Sequence, residues 1–186
     1  CNCAYVAPAG THLAIRKSGA GYECVLSDDE AAGFHRPSVD VLFDSVGREA
    51  GSDAIGIILT GMGKDGAEGL TAMRRAGAYT IAQDEDSSIV WGMPGAAVRK
   101  GGVADIASLD AIADLVAQCE RRIDRSVRER AGREGLDRRG EREGRLFQSI
   151  VVVIGLGHLE VHGALLAEQV RQTLIPGDLV AHGPPD

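Results

Sequence analysis

One carboxylate stands among glycines at the end of a buried apolar run, in Leu59-Thr60-Gly61-Met62-Gly63-Lys64-Asp65-Gly66-Ala67. An acid at that position in an open α/β sheet lies where such sheets place their working groups, beyond the carboxyl end of a strand. A simpler role for Asp65 is the N-cap of the helix that follows, since Asp is a favoured cap. Three glycines around one Met and one Asp ask for more than a cap, namely tight backbone geometry or close approach of another chain segment. Other chemistry-bearing spacings are weaker. His158 and His162, at i and i+4, could share a helical face as metal ligands, but no Glu general base or third ligand accompanies them, and the pair is read as incidental. Cys1-x-Cys3 has the wrong gap for a metal-binding pair, and Cys24 and Cys119 supply no second pair. No metal and no cofactor is expected.

The elements that must position Asp65 are legible on both sides of it. Residues 54–59 (Ala-Ile-Gly-Ile-Ile-Leu) form a short β-branched run without polar alternation, as expected for a strand covered on both faces. Downstream, residues 67–76 carry Leu70 and Met73 at helical spacing and end in Arg74-Arg75-Ala76-Gly77, basic residues followed by a C-terminal glycine cap. Ser38 and Asp40 before Val41-Leu42-Phe43 mark another helix start, with Ser38 as its cap. Residues 109–117 are expected to form an amphipathic helix.

Four separate blocks carry a specific resemblance. They are Tyr5-Val6-Ala7-Pro8-Ala9-Gly10 with His12; His35-Arg36-Pro37-Ser38-Val39-Asp40-Val41-Leu42-Phe43; Gly61 to Gly66; and residues 83–94 followed by Gly101-Gly102-Val103. In this order, over about residues 3 to 118, they resemble the catalytic domain of the chemotaxis protein-glutamate methylesterases, the CheB family. The resemblance implies an α/β, doubly wound, mainly parallel sheet flanked by helices. It also implies a carboxylic ester hydrolase that demethylates glutamate methyl esters on a methylated chemoreceptor and, in many members, deamidates receptor glutamines. The chemistry is a Ser-His-Asp triad, in which the acid orients the imidazole and stabilises its charged form. Asp65 matches the triad acid, and the backbone at Met62 matches the oxyanion-holding position.

The departure from the family pattern matters equally. The family's nucleophilic serine lies in a glycine-rich turn after the first strand and its histidine follows a later strand, both ahead of the Ala-Pro-Ala-Gly block. Neither motif stands ahead of that block in this sequence, so the expectation is a sheet missing its first strands and an incomplete triad, with no nucleophile identified. A receiver domain, which family members often carry ahead of the catalytic domain, is likewise not seen. His35 is read as structural because the family carries that block beside a separate catalytic His, and Arg36 as a contributor to the receptor-binding surface. Ser87, Ser88 and Met93 fall in an expected loop near the site, which alone assigns no chemistry.

Residues 119–148, rich in Arg and Glu and punctuated by glycine, are read as a charged linker or a frayed exposed helix after a domain spanning residues 1–118. Residues 149–186 open with Ile150-Val151-Val152-Val153-Ile154, a strand without a partner, and are expected to be a strand-helix segment, a degraded start of a second such domain. That strand is expected to fill the slot beside residues 54–59. The turn after it, Leu156-Gly157-His158-Leu159-Glu160, has no serine, and Leu179-Val180-Ala181-His182 is only faintly similar to the family's histidine stretch. Gly155-x-Gly157 also suggests a Rossmann-like nucleotide binder at residues 150–170, but Glu160 replaces the third glycine. A non-catalytic receptor-binding module is the alternative of a different class.

Composition bounds these readings. A chain of 186 residues with 44% hydrophobic but only 4% aromatic residues builds its core from Val, Ile, Leu and Ala, and twenty-five glycines suit the tight turns of an α/β protein. A net charge of −7 argues against nucleic acid as a partner. No apolar run approaches the roughly 20 residues of a membrane span. Reduced thiols and the lack of a signal peptide suggest a cytoplasmic protein.

Overall fold

The computed structural model describes residues 5–19, 21–29, 35–133 and 150–154. Strand β1 (His12–Ser18) pairs antiparallel with β2 (Gly21–Ser27) in a hairpin. Helix α1 (Val39–Glu49) leads through a 3₁₀ turn (Gly51–Asp53) into β3 (Ala54–Ile58). Helix α2 (Ala67–Arg75), β4 (Tyr79–Gln83), α3 (Met93–Arg99), β5 (Asp105–Ala107), α4 (Leu109–Arg133) and β6 (Ile150–Ile154) follow. The main sheet has the order β5-β4-β3-β6 with every pairing parallel.

The alternation of a strand sorts the core into two halves. On one face Ala54, Ile58 and Ala82 pack with Phe43, Val46, Leu70, Met73 and Ala97 of α1, α2 and α3. On the other face Ile55, Ile57 and Ile81 pack with Ile112, Val116, Cys119 and Ile123 of α4. The sheet is therefore covered by helices on both sides, the doubly wound α/β arrangement expected. All five residues of β3 are buried, which explains the unbroken apolar run.

The strand at residues 150–154 lies where it was expected. It pairs in parallel with β3, from Ala54 opposite Ile150 to Ile58 opposite Ile154, and occupies the edge of β3 that β4 leaves open. The charged stretch from residue 119 begins differently from a linker, because α4 continues to Arg133 with Cys119 and Ile123 buried. Positions 112, 116, 119 and 123 recur at helical spacing, so a narrow apolar stripe holds the helix to the sheet while its other faces carry charge. Residues 134–149 and 155–186 lie outside the described residues. So do His158, His162, Gly155, Gly157, Glu160, His182, Cys1 and Cys3. Among the described residues no helix is long and apolar enough to cross a membrane, and no group of three or more His, Cys, Asp and Glu side chains is placed to hold a metal ion.

Candidate active site

The loop between β3 and α2 is held by the segment after β4. The Gly61 amide donates to the Val90 carbonyl at 2.9 Å and the Met93 amide to the Gly61 carbonyl at 2.8 Å. The Thr60 amide donates to Gln83 Oε1 at 2.8 Å, and Gln83 Nε2 donates to the Ser87 carbonyl at 2.8 Å. Gln83 thus ties the two loops to each other at the carboxyl ends of β3 and β4. The approach is so close that a Cβ on Gly92 would lie 2.7 Å from the Gly61 carbonyl oxygen, and one on Gly61 would run into the Met93 sulfur. This is the close approach that the glycine density implies. Met93, expected in a loop, is the first residue of α3 and is buried against this turn, because Pro94 after it is well suited to start a helix.

Met62 points outward, its side chain 82% exposed, and among the described residues no acceptor meets its amide. Gly66 then turns the chain at φ +88°, a left-handed geometry suited to glycine, and a Cβ there would lie 2.5 Å from Val39 Cγ1. Gly66, and not Asp65, holds the N-cap position of α2.

The Asp65 carboxylate instead faces the start of α1, which lies a full helix and strand earlier in the chain. Its Oδ1 accepts from the Ser38 hydroxyl and from the Asp40 amide, both at 3.0 Å, and its Oδ2 accepts from the Val39 amide at 2.9 Å. A carboxylate is thereby placed on the free amides and positive dipole end of α1, where an anion is stabilised. Ser38 occupies the N-cap position with extended backbone, as expected, but makes no side-chain cap to its own helix because its hydroxyl is committed to Asp65.

Behind Ser38 sits His12, 1% exposed, whose Nδ1 accepts from the Ser38 amide at 3.1 Å. With Nδ1 an acceptor, the neutral ring carries its proton on Nε2. A serine, a histidine and an aspartate are therefore neighbours, but in an order that cannot perform acyl transfer. The Ser38 hydroxyl donates to the carboxylate, the imidazole meets the serine backbone, and both Ser38 and His12 are buried. Nothing here activates the hydroxyl as a nucleophile. His35 lies exposed in the turn before α1.

Asp40 completes the cluster. Its Oδ1 accepts from the Gly69 amide of α2 at 2.7 Å, so an acid of α1 bonds α2 while the acid of the loop before α2 bonds α1. Burial pushes the Asp40 carboxyl above its ordinary value of 3.8; the Gly69 amide opposes this and the neighbouring Asp65 charge adds to it. A raised folded-state value means the native protein binds this proton more tightly than the unfolded chain does. The stability it contributes is present below pH 3.8 and is lost as pH rises through the raised value. Asp40→Asn keeps an oxygen for the Gly69 amide and removes the charge. The variant's urea midpoint relative to wild type is expected to rise between pH 3 and pH 7; a difference that is flat or falls with pH contradicts this assignment.

A parallel sheet with helices on both faces, and with an acid held beyond the carboxyl end of its strand, defines an open-sheet α/β domain. Residues 1–116 match the family model described as CheB methylesterase, and the chain belongs to that family. It is 55% identical over 111 residues to protein-glutamate methylesterase/protein-glutamine glutaminase 2 of Saccharophagus degradans, covering 60% of this chain and 32% of that relative. It is 51% identical over 109 residues to the protein-glutamate methylesterase/protein-glutamine glutaminase of Escherichia coli K12, covering 59% of this chain and 31% of that one. The crystal structure of the Thermotoga maritima CheB methylesterase catalytic domain superposes with a TM-score of 0.55 at 27% identity, over 62% of this chain and 58% of that chain. The chain thus spans about a third of the length of these curated relatives.

Sequence reasoning found Asp65 and its strand-to-helix loop. It did not find that α1 holds the carboxylate, nor the parts of His12, Asp40, Gly69 and Gln83. A helix start at Ser38-Val39-Asp40 was a visible signal; which distant acid would cap it was not.

Proposed function

We propose that this chain carries the acid-bearing part of a protein-glutamate methylesterase domain that hydrolyses glutamate methyl esters of a chemoreceptor, with glutamine deamidation as a companion reaction. Asp65 is the triad acid, and the Met62 amide stabilises the oxyanion. The serine and imidazole of the triad come from a segment outside the described residues. In this reaction the serine oxygen attacks the ester carbonyl as the imidazole takes its proton, and the proton then leaves with methanol. Water, deprotonated by the same imidazole, releases the free glutamate and restores the serine. The carboxylate stabilises the charged imidazole in both steps. A preorganised oxyanion amide of this kind contributes about 3 kcal/mol to the transition state. The compartment assigned with this reading is the cytoplasm.

The single observation supporting this reading is the fixed orientation of the Asp65 carboxylate at the family-matched position, with an amide three residues before it, at an exposed turn, that meets no acceptor among the described residues. The test measures methanol release from methylated receptor by the 186-residue chain, alone and mixed with the portion of the Saccharophagus degradans relative that this chain does not match. Turnover is expected only in the mixture. Rapid turnover by the chain alone contradicts the incomplete triad, and a silent mixture overturns the reading of Asp65 as the acid.

A second reading is favoured by the apolar rim of the same edge. Met62, Ile89 and Val90 are all exposed on the two tied loops, at 82%, 59% and 38%. A module that binds receptor without converting it would use such a rim. Receptor retention without methanol release from the mixture is its signature.

A further inference from the structure

We propose that Ser38, seated on His12, is a positioning residue of this site, whose hydroxyl, together with the first amides of α1, leaves the Asp65 carboxylate, among the described residues, a single free acceptor position, on Oδ2. The inference rests on the reading of Asp65 as the triad acid and adds a device that sets its direction. An ionised carboxylate offers about four lone-pair positions, two on each oxygen. Ser38 Oγ and the Asp40 amide take both positions on Oδ1, and the Val39 amide takes one on Oδ2. An imidazole N–H arriving at this carboxylate therefore has one position left to bind, on a defined oxygen. Its ring is oriented by what α1 has already occupied.

The anchoring is rigid on every side. Ser38 is 3% exposed, and its amide is held by His12 Nδ1. His12 opens β1, which is bound to α1 farther along by the Ile15 amide donating to Ser45 Oγ at 3.0 Å and the Lys17 amide to Glu49 Oε2 at 3.1 Å. On the other side, Asp65 lies two residues before α2, and α2 is joined to α1 through the Gly69 amide and Asp40. Removing the Ser38 hydroxyl opens a second acceptor position, on Oδ1, without touching any group that would meet substrate. The imidazole can then settle in two orientations, of which one is productive.

The experiment uses the 186-residue chain mixed with the same unmatched portion of the Saccharophagus degradans relative, with Ser38→Ala and Ser38→Thr compared to wild type. Ser38→Ala is expected to lower kcat about tenfold with KM unchanged, as fits loss of one hydrogen bond to a charged group. Ser38→Thr, which keeps the hydroxyl, is expected to restore most of it. Equal kcat in Ser38→Ala and wild type overturns the proposal while leaving Asp65 as the acid. A fall in kcat that Ser38→Thr fails to restore, or one matched by a rise in KM, assigns Ser38 a merely structural role and overturns it as well. Amide resonances of Val39 and Asp40, followed by NMR in the chain alone, check that α1 still starts at the same place in each variant. A wild-type mixture without turnover sinks the reading of Asp65 on which the inference stands.

Discussion

Asp65→Ala is expected to lower the unfolding free energy of this chain by about 3 kcal/mol and to reduce methanol release in the completed mixture by about ten-thousand-fold. The two effects have one origin. The carboxylate closes the first turn of α1 from outside that helix, accepting from two backbone amides and one hydroxyl. Loss of an ordinary N-cap costs about 1 kcal/mol, and hydrogen bonds to a charged acceptor are stronger than neutral ones. Three such donors left without their acceptor in a half-buried position do not sum fully, because water reaches part of the gap, and this sets the figure near 3. On the proposed reading of Asp65 as the triad acid, the kinetic loss follows because an acid that no longer orients the imidazole leaves the wrong tautomer facing the serine. Asp65→Asn separates these contributions only in part. Its oxygen can serve Ser38 and the Asp40 amide, but its NH₂ then faces the Val39 amide, donor against donor. Urea denaturation followed by circular dichroism gives the first number and methanol release the second. A variant as stable as wild type would contradict the capping of α1 by Asp65.

What the sequence made legible was local. The β-branched run at residues 54–59 reads as a strand covered on both faces, and Leu70, Met73 and Gly77 as a helix ending in a glycine turn. These features depend on neighbours within one or two turns, where spacing and propensity carry the information. The resemblance of four blocks supplied the doubly wound sheet. The partners of Asp65 were not legible, because a carboxylate that caps a helix 25 to 27 residues earlier leaves no local pattern. Reading Ser38 as a cap was half right for the same reason: the position follows from local backbone, whereas the destination of the hydroxyl depends on tertiary packing. The course of α4 shows a different loss. Its stripe at 112, 116, 119 and 123 was present in the sequence, but the surrounding Arg and Glu residues dominate the composition and suggest a solvated linker. A helix against a sheet needs only a narrow apolar face, so average composition understates its order.

Gly69→Val is expected to cost about 3 kcal/mol of stability and also to lower turnover in the completed mixture. An added Cβ would lie 2.6 Å from Phe43 Cβ, 2.9 Å from the Asp40 carbonyl oxygen and 3.1 Å from Asp40 Cα. Two of these three are backbone atoms of α1, and Phe43 is fully buried, so neither neighbour can swing aside. The helices must separate, which breaks the hydrogen bond from the Gly69 amide to Asp40 and loosens the packing of Leu70 and Met73. An exposed helical glycine changed to alanine usually gains about 1 kcal/mol from helix propensity. Gly69→Ala is expected instead to lose about 2 kcal/mol, because the clash begins with the first carbon and not with the branches of valine. The functional loss follows from the chain path. Asp65 lies two residues before α2 and its acceptors face the first turn of α1, so any separation of α1 from α2 draws the carboxylate away from Ser38, Val39 and Asp40. Thermal melts of both variants, with methanol release measured well below the melting temperature, distinguish a displaced acid from simple unfolding. A stabilised Gly69→Ala would mean that the two helices do not touch at this point, and the close crossing that delivers α1 to Asp65 would fall with it.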